Sequence, residues 1–362
     1  MVDRSGGKNG DSLDHARALV SALEQNAAAA ELDANLAQWD AATTGSKEAY
    51  ALYEESFLKY KRVFSSPEIL AEITALLQAG RDRLEAQMTR RLALLQLLLT
   101  EHTTAPEKLK DLTELETAAE REVSTFRGTL NGKPATSNEL AEVLRDSRDR
   151  DQRRQAWLAL KEVGPVVAPD IVRLAKLRNR VAVSAGFPDY WHMQLGLSEI
   201  DSDQLLETLD RTAAATDKPY QAAKGRMDEA AAKRLGINRA DVMPWDFSDA
   251  FLQELPHWMR PDVTRYYEQS DPVKSAQTYY ETLGFDVAPI LARSSLYEAP
   301  GKNPHAFCTD IDRQGDVRVL ANVKNDLHWH TTMLHELGHA LYSSHIQSSL
   351  PWSLRDEAHA LT

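Results

Sequence analysis

A chain of 362 residues with 43% hydrophobic and 27% charged side chains is long enough to bury a sizeable core and ordinary for a soluble globular protein. Its formal net charge of −12 argues against nucleic acid as a partner, because a phosphate backbone rewards clustered lysine and arginine. No apolar run approaches the roughly 18 residues of a membrane span, and Cys308, the single cysteine, allows no internal disulfide. The cytoplasm is the expected location.

Residues 1–12 are polar, lack the apolar centre of a signal peptide, and read as a disordered leader. From Asp11 to about Gly128 the pattern is helical almost throughout. Ser66 caps a helix with Pro67 in its first turn, and apolar residues recur at helical spacing through Ile69, Ile73, Leu76, Leu77 and Leu84 to Leu99. Asn131-Gly132 marks a turn, after which Thr136 and Glu139 form a capping box. The charge-dense stretch from Arg145 to Arg154 reads as a solvated helix face. A helix is expected from Pro169 to Ala185, stopping at Gly186-Phe187-Pro188. Asp203 and Gln204 open another, and Pro272 to Leu283 makes a short one closed by Gly284. Trp157, Trp191, Trp245 and Trp258 read as core residues.

The character changes near the C-terminus. His305 to Asp312 and Val317 to Val323 are rich in β-formers and flank Arg313-Gln314-Gly315-Asp316, which predicts a β-hairpin. Asn325 or Asp326 then caps a helix from Leu327 to about Ser344. No internal repeat or interior linker divides the chain. The expectation is a mainly α protein with one helical domain over 13–362 and a small hairpin beside the last long helix.

That helix contains His335-Glu336-Leu337-Gly338-His339. Histidines four apart lie one turn apart on one side of a helix, where both imidazoles reach one metal ion. A tetrahedral zinc ion suits two imidazoles, a carboxylate and an open water position, and Glu336 stands where it can deprotonate that water. The neighbours Thr331 to Leu334, Ala340 and Leu341 are uncharged, as a buried active-site helix requires. His328, two turns before His335, suits capping or packing; His330 and His345 are expected to face solvent, and Cys308 to act as a small hydrophobe. Two histidines leave a third ligand to find. Glu357, 18 residues after His339, is one candidate.

His335 to Tyr342 resembles the zinc helix of the helical zinc oligopeptidases, and specifically of the angiotensin-converting-enzyme-type peptidyl dipeptidases, with the thimet and oligoendopeptidase F types as cousins. Leu350-Pro351-Trp352-Ser353-Leu354-Arg355 resembles the stretch that follows that helix, and His305-Ala306 the pair on the strand that binds substrate backbone. Weaker similarity extends through Tyr279 to Gly284, Arg178 to Asp189, and Asn35 to Thr44. The likeness is specific over the last part of the chain and diffuse elsewhere. It implies a zincin-type helical fold with its catalytic subregion at about 272–362, and zinc held by His335 and His339. Glu336 would be the general base, with His305 and Ala306 binding substrate. It places the third ligand, a glutamate, just beyond Thr362 in preference to Glu357, so the chain is expected to be C-terminally truncated. The implied activity is hydrolysis of short peptides. An endo-oligopeptidase or carboxypeptidase on the same fold is the nearer alternative, and a non-catalytic helical scaffold the more distant one.

Overall fold

The computed structural model describes residues 5–356 except 81–83, 105, 253–254, 260 and 262. Five helices open the chain: α1 (Ser5–Thr44), α2 (Lys47–Val63), α3 (Pro67–Gly80), α4 (Ala86–His102) and α5 (Pro106–Thr125). α1 begins at Ser5, inside the stretch expected as a leader, because a nucleated helix extends at little cost per residue; residues 1–4 lie outside the described residues. Gly45, at φ +64°, turns the chain between α1 and α2, which lie along one another. The Ser66 hydroxyl accepts from the Ile69 N–H at 3.2 Å and starts α3 as the sequence predicts. Val20, Leu23, Phe64, Ile73, Leu92, Leu95 and Leu99 form the core of this layer. Burial of each such leucine stabilises the fold by about 1.5–3 kcal/mol.

The middle of the chain begins with a hairpin, β1 (Gly128–Leu130) and β2 (Lys133–Ala135). Asn131 and Gly132 join the strands at φ 53° and 75°, the left-handed pair of a type I′ turn. Then come α6 (Ser137–Asp146), α7 (Arg150–Lys161), α8 (Val163–Ser184), α9 (Tyr190–Leu197) and α10 (Ser202–Leu235). The Thr136–Glu139 capping box is present. Three expectations need correction. α8 starts at Val163 and runs through Pro169: the proline removes one backbone bond, and the exposed first turns leave the freed carbonyl to water. Arg145 to Arg154 is not one solvated face, for Asp149 breaks and recaps the helix, and Arg153 is fully buried. Arg153 donates to the carbonyls of Trp245, Ser147 and Phe247, which satisfies its guanidinium. Trp191 is 41% exposed and no core residue, whereas Trp157 and Trp245 meet edge to face.

The C-terminal part comprises α11 (Thr264–Glu268), α12 (Pro272–Thr282), α13 (Ala288–Arg293), β3 (Phe307–Asp310), β4 (Val317–Leu320) and α14 (Leu327–Ser344). β3 and β4 form the expected antiparallel hairpin, from Phe307 opposite Leu320 to Asp310 opposite Val317. On its other side β4 accepts a short parallel bridge from Ser295. Trp329, Met333, Leu337, Ala340 and Leu341 of α14 are buried against Ala276, Val287, Ile290, Val317 and Val319. The architecture is mainly α, with two small two-stranded sheets among the described residues. No helix among them is long and apolar enough to cross a membrane.

Candidate metal centre

Asp326 caps α14 through its carboxylate, which accepts from the Trp329 N–H at 2.9 Å. Arg145 reaches across from α6 and pairs with the same side chain at 3.2 Å. The apolar stripe of α14 faces inward, so the opposite side carries the motif. His335 is exposed, His339 half-buried, and Glu336 only 8% exposed at the boundary between them and the core.

The two imidazoles converge. Their Nε2 atoms lie 3.1 Å apart, with ring centroids 4.7 Å apart and planes at 80°. Two nitrogens bound to one tetrahedral zinc at 2.0–2.1 Å would stand about 3.3 Å apart. The pair therefore fits two corners of one zinc site. Without an ion, the same approach requires one ring to donate and the other to accept. Burial raises the pKa of Glu336, against the opposing pull of His335 and His339. A carboxylate so placed holds protons more readily than an exposed one. Among the described residues no cluster of three or more metal-binding side chains gathers. Glu357 lies outside the described residues.

Tyr280 on α12 was not singled out from the sequence as a site residue, yet it braces the motif. Its hydroxyl donates to the Leu334 carbonyl at 2.6 Å, one residue before His335. A Cβ on Gly338 would lie 3.2 Å from that hydroxyl oxygen, so the glycine inside the motif leaves room for the tyrosine. Burial pushes the phenol pKa up and keeps the donor protonated.

His305 is exposed in a bend and Ala306 is half-buried just ahead of β3, so the paired strand is shorter than expected. The Ile311 N–H donates to the Asp316 carbonyl at 3.0 Å, which sets the parity of the ladder. By that alternation the Asp310 carbonyl turns the other way; Asn35 of α1 donates at 3.4 Å to it and at 3.1 Å to the Ile311 carbonyl. Ala306 shares the parity of Asp310, so continuing the strand backwards turns its peptide groups to that outer edge.

The remaining histidines divide. His328 is exposed, edge-on to Trp329, and His345 is exposed. His330 corrects the sequence reading: it is 6% exposed, with Nδ1 bonded to the Asp326 carbonyl at 2.8 Å and its ring against Tyr267. The helix turns that residue toward α11, which periodicity within α14 does not reveal. Cys308 is half-buried against the α14 cluster. After α14, Trp352 stacks on Phe64 and donates to Glu31 at 2.8 Å, which ties the segment to α1 and α2.

A mainly helical scaffold that sets a His-Glu-x-x-His helix against a small hairpin is the framework of a helical peptidase. The chain belongs to the angiotensin-converting enzyme family of peptidases, whose family model matches residues 11–223, more than half of the sequence. The matched span ends within α10 and does not include α14, so it falls where the sequence likeness was diffuse. No curated protein matches the chain. The family's reaction is peptide-bond hydrolysis and its members are zinc enzymes.

Proposed function

We propose that this chain is a zinc-dependent peptidase acting on short peptides in the manner of a peptidyl dipeptidase. The observation that carries the reading is the convergence of His335 and His339, their Nε2 atoms 3.1 Å apart beside a buried Glu336. His335 and His339 would hold the ion together with a glutamate C-terminal to Asp356. Zinc bound there would supply Lewis acidity, which polarises a carbonyl and acidifies water. Glu336 takes a proton from the attacking water and passes it to the leaving amine. Its burial strengthens the hold on that proton. The backbone at His305-Ala306, ahead of the Asp310 carbonyl that Asn35 occupies, receives an extended peptide as an added strand, and His305 donates to a substrate carbonyl. Such an edge reads backbone and little side chain. One helical domain over 13–362, with its catalytic part at about 272–362, completes the proposal. A reducing, cytoplasmic setting is supported by the single Cys308.

Purified protein should hold zinc and cleave free peptides in a chelator-sensitive manner. Glu336→Gln should keep the metal and lose about a hundredfold to ten-thousandfold in kcat; full turnover in that variant would remove Glu336 as the base. Mass spectrometry on one free and one C-terminally blocked peptide separates dipeptide release from endo- or carboxypeptidase cleavage. A chain that binds no zinc and cleaves nothing would be the helical scaffold instead.

A further inference from the structure

A buried cation outside the motif braces the loop between α13 and β3. Lys302 is 2% exposed, and its ammonium donates to the carbonyls of Ser295, Tyr297 and Ala321 at 2.9, 2.7 and 2.5 Å. All three of its protons are thereby used. Ser295 and Tyr297 lie on the segment beside β4, and Ala321 follows β4 directly. One charge thus ties the start of its own loop to the later part of that loop and to the residue that follows β4. A neutral chain of equal length would fill the space but leave the three carbonyls without their donor, so Lys302 both satisfies and positions them.

The chain beyond Lys302 is pinned at each step toward the hairpin. The Asn303 N–H donates to the Ala42 carbonyl at 2.8 Å, and Asn322 donates to the Asn303 carbonyl at 2.9 Å. The His305 N–H in turn donates to the Asn303 side chain at 3.0 Å. Gly301 lies against the turn after α1: a Cβ on it would stand 2.4 Å from the Thr44 carbonyl oxygen. His305 itself remains exposed. This framework ends where the proposed peptide-binding edge begins.

We propose that Lys302 is a positioning residue for peptide binding: its ammonium fixes Asn303 to Ala306 and so aligns the backbone at His305-Ala306 with an extended substrate backbone. The inference rests on the peptidase reading above. Backbone pairing is uniform binding, equal in ground and transition states, so its loss raises KM and leaves kcat nearly unchanged.

The test uses the full chain loaded with zinc and carrying Glu336→Gln, so that peptides bind without being cut. The probes are the free pentapeptide Ala-Ala-Phe-Ala-Ala and copies N-methylated at one peptide bond at a time, which cannot donate to a strand edge at that bond. Lys302→Met should keep its zinc, weaken the pentapeptide by about tenfold or more, and lose the preference over the methylated copies. Lys61→Met, at a second buried lysine, which pairs with Glu116 of α5, serves as the control for mere destabilisation and should keep both affinity and preference. Unchanged affinity and preference in Lys302→Met, or an equal loss in Lys61→Met, would overturn the proposal. Should Lys302→Met fail to fold, Asn322→Ala removes the neighbouring bond to Asn303 and must show the same loss of preference in smaller measure. Zinc content is read separately. A chain without zinc refutes the peptidase reading, whereas a zinc-loaded chain that treats plain and methylated peptides alike refutes this inference alone.

Discussion

The span that places the chain in its family and the helix that carries the proposed metal site do not overlap: residues 11–223 match the family, and α14 begins at Leu327. The share of apolar packing differs between the first four helices and the surroundings of α14. α1 to α4 are joined by an apolar core of leucine, isoleucine and phenylalanine. Buried polar contacts also join them, Arg91 of α4 with Glu24 of α1 at 2.7 Å and Lys61 of α2 with Glu116 of α5. Around α14 the apolar cluster is supplemented by directed bonds: Arg145 on the Asp326 cap, Tyr280 on the Leu334 carbonyl, Lys302 on three carbonyls. Hydrophobic burial is non-directional and tolerates repacking, whereas a site requires side chains at fixed distances. A family pattern can therefore be spread over many helices while the chemistry depends on a few bonds.

Three experiments test that contrast, beginning with the largest effect. His339→Ala should weaken zinc binding by well over a hundredfold while leaving the unfolding midpoint of the apo-protein within a degree or two, because the side chain is half-buried and its neighbour His335 is exposed. Elemental analysis after dialysis would decide it, and undiminished zinc would remove His339 as a ligand.

The second acts on the other region. Burial, followed by repulsion from Lys61, pushes the pKa of His102 down to about 3, with Glu116 opposing. The neighbouring Glu101 is itself raised by burial and so does little to hold an imidazolium. The unfolded chain protonates His102 near pH 6.5. Its contribution to stability is thus fully present above pH 6.5 and is lost as pH falls toward 3, at up to about 1.4 kcal/mol per pH unit. Urea unfolding at pH 7, 5.5 and 4.5 should show this slope, and His102→Leu should flatten it. Identical slopes in the two proteins would mean that His102 is not kept neutral by the fold.

The smallest effect belongs to Tyr280→Phe, which removes one hydroxyl. Losing its bond to Leu334 should cost about 1 kcal/mol of stability. It should also lower zinc affinity severalfold, as the loss of a supporting bond near a ligand does. Zinc titration against a competing chelator would measure it. An unchanged affinity would show that α14 holds its histidines without help from α12.

Much of the local structure is legible in the sequence. Asp326 and the spacing of Trp329, Met333, Leu337 and Ala340 fix α14, and Arg313 to Asp316 fix the β3–β4 turn, because capping and periodicity are properties of adjacent residues. The start of α8 departs from the sequence expectation because proline usually marks a first turn, and here an exposed turn further in accommodates Pro169. The β1–β2 hairpin announced only its Asn131-Gly132 turn, since strands of three residues carry no readable alternation. Arg153, Lys302 and Tyr280 were illegible for a single reason. Their partners are backbone carbonyls, some near and some distant in sequence, and a carbonyl belongs to every residue. At the site itself, the motif was readable from five residues, while the bracing that aims it was not.

The meeting of Gly45 and Gly301 has a mechanical consequence. A Cβ on Gly45 would lie 2.1 Å from the Gly301 carbonyl oxygen, so two main chains touch there with no side chain between them. Side chains flex through rotamers and cushion movement, whereas bare backbone contact does not. Any hinging of the α1–α2 elbow would therefore be passed on stiffly to the stretch that leads into β3, coupling the posture of the first two helices to the strand edge some 260 residues later.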